Sequence, residues 1–177
     1  MPQLLVAPAR TFGRVFGLAG LVLVAACRSG EPETAPAPSE PAAAAAPAQA
    51  VLPPIDTVNA QQFVTNGGEL TPLTFDRSGS TTVTGTVAGD KAPVYAVSAA
   101  AGQTLTVTFQ SDSDNLYANV SDAADHSGAA LHRGEMEGRT ASLKADRDMT
   151  FVITPFQPRA MARRNETGTF SLTVARD

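Results

Sequence analysis

Residues 80–87 read Ser-Thr-Thr-Val-Thr-Gly-Thr-Val, with Val83, Gly85 and Val87 on one side of a period-two alternation and Thr82, Thr84 and Thr86 on the other. The same period returns at 104–110, where Leu105, Val107 and Phe109 share a face. It returns again at 149–155 with Met149, Phe151 and Ile153, and at 167–175 with Phe170, Leu172 and Val174. Successive side chains of a strand point to opposite faces, so these segments predict strands with one dry and one wet face. Shorter runs at 94–99, 116–120, 130–132 and 140–144 extend the set. Gly89-Asp90 ahead of Lys91-Ala92-Pro93, and Ala101-Gly102, supply turn chemistry between strands. Eight short Thr- and Val-rich strands punctuated by Gly, Asp and Asn predict an all-β fold, an antiparallel β-sandwich of about eight strands. Residues 70–75 (LTPLTF) add a candidate edge strand, where Pro72 is tolerated because no neighbour needs its N–H.

The amino-terminal third follows other rules. Arg10 and Arg14 precede an unbroken apolar run, residues 15–26 (VFGLAGLVLVAA), which ends at Cys27, the one cysteine of the chain. A membrane-spanning helix needs roughly 20 apolar residues, so the run predicts a secretory signal at 1–26. Val24-Ala25-Ala26-Cys27 resembles a bacterial lipobox, which implies acylation of Cys27, palmitate included, and a lipid anchor; an ordinary signal peptide ahead of a free Cys is the other reading. Two or more acyl chains hold a protein stably on a bilayer, at about 0.8 kcal/mol per buried methylene. By resemblance to Gram-negative lipoproteins, Arg28-Ser29 in place of an Asp after the Cys implies the outer membrane, its periplasmic face ahead of the cell surface. Residues 28–55 hold seven Pro and nine Ala with no apolar periodicity. Together with Cys27 they predict a disordered linker, which leaves 56–177 as the folded domain.

Composition narrows the chemistry. The formal charge is −4, and loss of Arg10 and Arg14 with the signal takes the basic count from 13 to 11 against 17 acids, or −6. An acidic chain lacks the basic surface a nucleic-acid binder uses to displace counterions. One Cys excludes an internal disulfide, and two His leave the common metal and triad chemistries short of parts. Asp112-Ser113-Asp114-Asn115 spaces oxygens as a calcium loop does, but without the Gly and distal Glu of an EF-hand it reads first as a polar hairpin loop. His126 and His132, followed by Glu135 and Glu137, would make a metal site only if their loop folded back on itself. No Ser stands in a nucleophile elbow and no carboxylate pair is set apart as acid and base, so no enzyme, metal or cofactor is predicted.

The exception to this sparse picture is residues 159–166, Arg-Ala-Met-Ala-Arg-Arg-Asn-Glu, between the last two strands. Pro155 and Pro158 stiffen the entry and predict a loop held out from the sheet. Arg159, Arg163 and Arg164 offer planar forks of donors suited to an acidic cleft. A solvated loop paired with Asp146, Asp148 or Glu166 is the alternative.

Residues 81–174 resemble the bacterial inhibitors of g-type lysozyme, small periplasmic β-sandwich proteins. The resemblance is carried by TGTVAGD at 84–90, Tyr95 leading into AAGQTL at 100–105, R-x-x-A-R-R at 159–164, Glu166 and the final FSLTV. The sequence departs from the family pattern in a lengthened stretch at 155–158, in Asn165 where Gly is usual, and through 121–139. The resemblance implies a lysozyme, g-type first, as partner, with Arg159, Arg163 and Arg164 entering its cleft and Tyr95 in support. An Arg set against the essential Glu general acid would hold it ionised and block the saccharide subsites. A non-enzymatic binding module for glycan, peptidoglycan or an envelope protein, akin to pre-peptidase C-terminal domains, is the competing expectation.

Overall fold

A computed structural model describes residues 51–65, 67–75 and 79–177. The expected signal peptide, Cys27 and the linker as far as residue 50 lie outside the described residues. No described helix is long and apolar enough to cross a membrane.

Among the described residues nine strands form: β1 (Leu70–Pro72), β2 (Ser80–Ala88), β3 (Val94–Ala99), β4 (Thr104–Ser111), β5 (Tyr117–Asp122), β6 (His132–Arg133), β7 (Thr140–Lys144), β8 (Met149–Phe156) and β9 (Thr167–Arg176). They make two sheets, one in the order β1-β3-β8-β5-β6 and the other β2-β9-β4-β7. The predicted sandwich is therefore borne out, and the 70–75 segment contributes an edge strand as expected. One pairing is not antiparallel. β1 runs parallel to β3, with Leu70 opposite Val94. Between them the chain crosses to the other sheet, runs along β2 and crosses back, so it returns in its original direction.

The alternation fixes which face is dry. Leu105, Val107, Phe109, Phe170, Leu172 and Val174 of one sheet meet Tyr95, Val97, Val120, Phe151 and Ile153 of the other in a single buried cluster. Gly85 of β2 belongs to this contact. A Cβ there would lie 2.5 Å from Cζ of Phe170 and 2.9 Å from the Tyr95 hydroxyl, so the strand must carry Gly for the rings to approach.

The two sheets differ on their outer faces. On the β2 sheet the threonines stay toward water: Thr82, Thr173, Thr108 and Thr140 stand on one rung across all four strands, with Thr82 and Thr173 hydroxyls 2.9 Å apart. The β3 sheet is covered. A helical turn α1 (Thr57–Ala60), continued as a 3-10 turn over Gln61–Phe63, brings Ala60 onto Val94, Ala96, Ala123 and Val152, with Ile55, Phe63 and Val64 packed alongside. Asp56 starts the turn by accepting the Asn59 N–H at 3.0 Å, and this N-cap bond holds its carboxyl below the usual carboxylate range. Ile55, assigned to the linker from composition, is thus packed on the domain.

Candidate functional site

β8 carries Pro155 inside the strand, opposite Ala118 of β5, so only Gln157 and Pro158 separate the strand from Arg159. The lengthened loop expected at 155–158 is shorter than its two prolines suggested. Residues 159–163 are not an extended loop but one helical turn, α3 (Arg159–Arg163), the second such turn, α2 (Gly134–Glu137), lying between β6 and β7. Pro158 precedes the first helical residue, and its carbonyl accepts from Met161 N at 2.9 Å and Ala162 N at 3.1 Å. The turn closes at Asn165, whose φ of +53° is left-handed. Asn is among the few non-glycine residues that adopt this conformation readily, so the departure from the family's Gly leaves the shape available.

Three hydrogen bonds fasten the turn to the sandwich. The side-chain amide of Gln157 donates to the carbonyls of Gly89 and Glu166, both at 2.8 Å, and Gly89 N–H donates to Glu166 O at 2.9 Å. Gly89 has φ +62°, and a Cβ there would lie 3.0 Å from Asn165 Oδ1. The turn after β2 and the segment entering β9 are therefore locked face to face, with α3 held between β8 and β9. Sequence reasoning singled out the arginines but missed Gln157, an uncharged side chain whose role depends on a turn 68 residues away.

The charges then sort themselves. Arg164 Nε donates to Glu166 Oε1 at 2.6 Å. The other acids named as alternative partners are engaged elsewhere: Asp146 with Arg147 at 2.9 Å, and Asp148 with the Ala101 N–H at 2.9 Å. Among the described residues, no ion pair holds Arg159 or Arg163. Both are exposed, and positions four apart lie on one face of a helical turn, so the two arginines share a face of α3.

Tyr95 is not part of that surface. It is 4% exposed, its ring stands edge-on to Phe170 at 6.2 Å between centroids, and burial pushes its hydroxyl above the ordinary tyrosine pKa. Its position in β3 faces the sandwich interior, where it packs beside Phe170 and Gly85.

The remaining candidates are tied into local structure. Asp112 accepts Thr169 Oγ1 at 2.8 Å and Thr169 N at 2.9 Å, and these bonds, the hydroxyl's foremost, hold its carboxyl below the usual range. Ser113 Oγ accepts the Asn115 N–H at 3.2 Å, and Asp114 lies 3.9 Å from Arg139. His132 is buried, with Nε2 2.9 Å from Gly138 O and Nδ1 3.5 Å from Glu137 Oε2, whereas His126 lies apart from it in the turn after β5. Among the described residues no three His, Cys, Asp or Glu side chains converge on a metal-sized site.

With this geometry in view, the likeness to solved structures is informative. A periplasmic inhibitor of g-type lysozyme from Aeromonas hydrophila superposes with a TM-score of 0.56 at 28% identity, over 62% of this chain and 98% of its own. The domain resembles the g-type lysozyme inhibitors in both fold and sequence. The resemblance read from the TGTVAGD, AGQ and R-x-x-A-R-R segments is thereby borne out. The inhibitor from Salmonella Typhimurium gives 0.49 at 19% identity, over 62% of this chain and 99% of its own. A pre-peptidase C-terminal domain of a Bacillus anthracis collagenase gives 0.48 at 17%, over 62% and 98%. No family model and no curated protein matches the chain.

Proposed function

We propose that the protein is a periplasmic lysozyme inhibitor, directed first at g-type enzymes, which plugs the active-site cleft with Arg159 and Arg163 of α3 and is held at the outer membrane through acylated Cys27. The observation that carries the reading is the pair of exposed arginines without ion-pair partners among the described residues, on one face of a braced helical turn. The 28% identity to the Aeromonas inhibitor supports the choice of target.

The mechanism follows from charge and shape. A glycoside hydrolase of this kind needs a protonated carboxyl to hand a proton to the leaving oxygen. A guanidinium placed against that carboxyl favours its ionised form, which removes the acid, and the body of α3 fills the space a sugar would occupy. Bracing by Gln157 and Gly89 lowers the entropy lost when the turn docks. Arg164, already paired with Glu166, shapes the turn from its flank and contributes less to the cleft contact.

Glycan binding has one feature in its favour, the hydroxyl-covered outer face of the β2 sheet, where Thr84, Thr86, Gln110, Asp112 and Thr169 line a shallow hollow. The aromatic residue lining that hollow, Phe170, is buried with its ring packed on Tyr95 and Phe109, so it gives a sugar no face to stack on, which ranks the inhibitor reading first. A cell-wall lysis assay of the purified protein against g-, c- and i-type lysozymes tests the choice. Inhibition of the g-type enzyme at the lowest concentration is expected; no inhibition of any class, with binding to insoluble peptidoglycan, would replace this reading with the glycan one.

A further inference from the structure

Among the described residues the two sheets leave four edge strands, and three of them are guarded against pairing by their own residues. β1 is three residues long and ends in Pro72, β6 is two residues long and turns at once into α2, and β7 is five residues long and ends in Lys144. Short strands, Pro and Lys are the usual guards of an edge. β2 has none of them. It runs nine residues without a charge or a Pro, and it pairs with β9 without a bulge, from Ser80 opposite Ala175 to Ala88 opposite Thr167. At its two ends Arg176 N–H donates to Gly79 O at 2.8 Å and Gly89 N–H to Glu166 O at 2.9 Å, so the odd-numbered residues of β2 are those that bond β9. Alternate residues of an antiparallel strand bond to opposite sides. Thr82, Thr84 and Thr86 therefore turn their N–H and C=O away from β9, toward a side where no described strand lies. The free stretch ends at Thr86, because Ala88 already exchanges backbone bonds with Lys91 at 3.0 Å.

We infer that this edge receives a second copy of the chain, the two β2 strands pairing antiparallel about Thr84. Centring the pair there sets Thr84 opposite Thr84 of the copy and Thr82 opposite Thr86, so each free N–H meets a free C=O, as a two-fold interface requires. Charge favours the same choice. The chain carries a formal −4, and repulsion between copies is least along a strand that holds no charged residue. On the inner face the half-buried Val83 comes beside Gly85 of the copy, the one position of β2 without a side chain. On the outer face the pairing continues the contact that Thr82 already makes with Thr173, hydroxyl to hydroxyl at 2.9 Å. The chain's own amino-terminal segment is a poor occupant, since residues 28–55 contain no Pro-free run longer than five residues and Pro cannot donate to a ladder. Because α3 is tied to Gly89, just past the end of β2, antiparallel pairing sets the two α3 turns at opposite ends of the joined sheet. A single strand pair falls below the roughly 1,200 Å² of standard interfaces, so the dimer is weak in solution, with a Kd on the order of 10–100 μM.

Sedimentation equilibrium tests this on the protein carrying Cys27→Ser, which keeps acyl chains out of the measurement. A monomer–dimer equilibrium is expected. Thr84→Lys sets two ammonium groups opposite each other across the two-fold axis and should raise the dissociation constant at least tenfold. Gln110→Lys adds the same charge to the same outer face but on β4, away from the edge, and should stay within twofold of the parent. Hydrogen exchange supplies a readout that needs no variant: the Thr82, Thr84 and Thr86 amides should gain protection as protein concentration rises, and this measurement decides the matter if circular dichroism shows that Thr84→Lys misfolds. A protein that stays monomeric up to about 1 mM would overturn the inference, because that lies well beyond the weak range expected of a strand pair. So would a folded Thr84→Lys variant that dimerises like the parent, or growth into open chains of copies, which would mean that β2 meets a different edge of its neighbour. None of these results bears on lysozyme inhibition, which is measured separately.

Discussion

Gln157 donates its side-chain amide to the carbonyl of Gly89 at 2.8 Å, which ties the residue entering α3 to the turn that ends β2. The same nitrogen reaches Glu166 O at 2.8 Å, so one side chain closes both sides of the arginine turn. An intramolecular hydrogen bond contributes about 1 kcal/mol net. Gln157→Ala is therefore expected to lower stability by about 1–2 kcal/mol in urea denaturation. Because the freed turn must be ordered on docking, inhibition should weaken severalfold. Unchanged inhibition at reduced stability would show that bracing has no part in binding.

Arg159→Ala and Arg163→Ala are expected to weaken lysozyme inhibition by about 2–5 kcal/mol each, the range for truncating one member of a buried charge pair at an interface. Arg163→Lys should recover little, since an ammonium lacks the planar fork. Arg164→Ala should cost less, because its partner is Glu166. Arg133, exposed in β6 and outside α3, is the control for net charge. Inhibition constants that stay level across both alanine variants would eliminate the plug.

Gly85→Ala tests the core rather than the site. The new methyl would meet Phe170 Cζ at 2.5 Å, a distance no packed carbon tolerates, so ring and strand must move apart. Overpacking of this kind costs about 1–3 kcal/mol. A fall in thermal midpoint is expected, and pairing Gly85→Ala with Phe170→Leu should recover part of it.

The Asp112 carboxyl is held below its ordinary pKa of 3.8 by Thr169, through its hydroxyl first and its N–H second. A carboxyl with a depressed folded-state pKa contributes stability that is fully present above its unfolded value and is lost as pH falls through the folded one. The stability difference between the parent and Asp112→Ala should therefore be constant near neutrality and shrink below about pH 4. Denaturation curves collected from about pH 6 to about pH 2 read this directly, and a gap that widens in acid would contradict it.

Cys27→Ser is expected to move the protein from the membrane fraction to the soluble periplasm and to abolish acyl labelling, because the lipid chains are its proposed hold on the bilayer. A variant that still sediments with outer membranes would refute anchoring through Cys27.

Periodicity determined the half-buried strands. Val83 and Val87 alternate with threonines, as do Leu105, Val107 and Phe109, because a half-buried strand repeats every two residues whatever it packs against. The arginine run, the turn glycines and the family likeness were equally local, and so were readable in order along the chain. What lay beyond the sequence depends on residues distant in the chain becoming neighbours. The covering of the β3 sheet by residues 55–64 is one case: Ile55 looks like linker until Val94 and Val152 are beside it. The parallel β1–β3 pair is another, since direction is set by how often the chain crosses the sandwich. Tyr95 carried a family role by position, yet the pleat turned its ring toward Phe170 and into the core. Which arginines are neutralised was also a tertiary matter. It required knowing that Asp146 is spent on Arg147 and Asp148 on a backbone N–H, and ion pairing is decided by distances of a few ångströms that spacing along a chain does not encode.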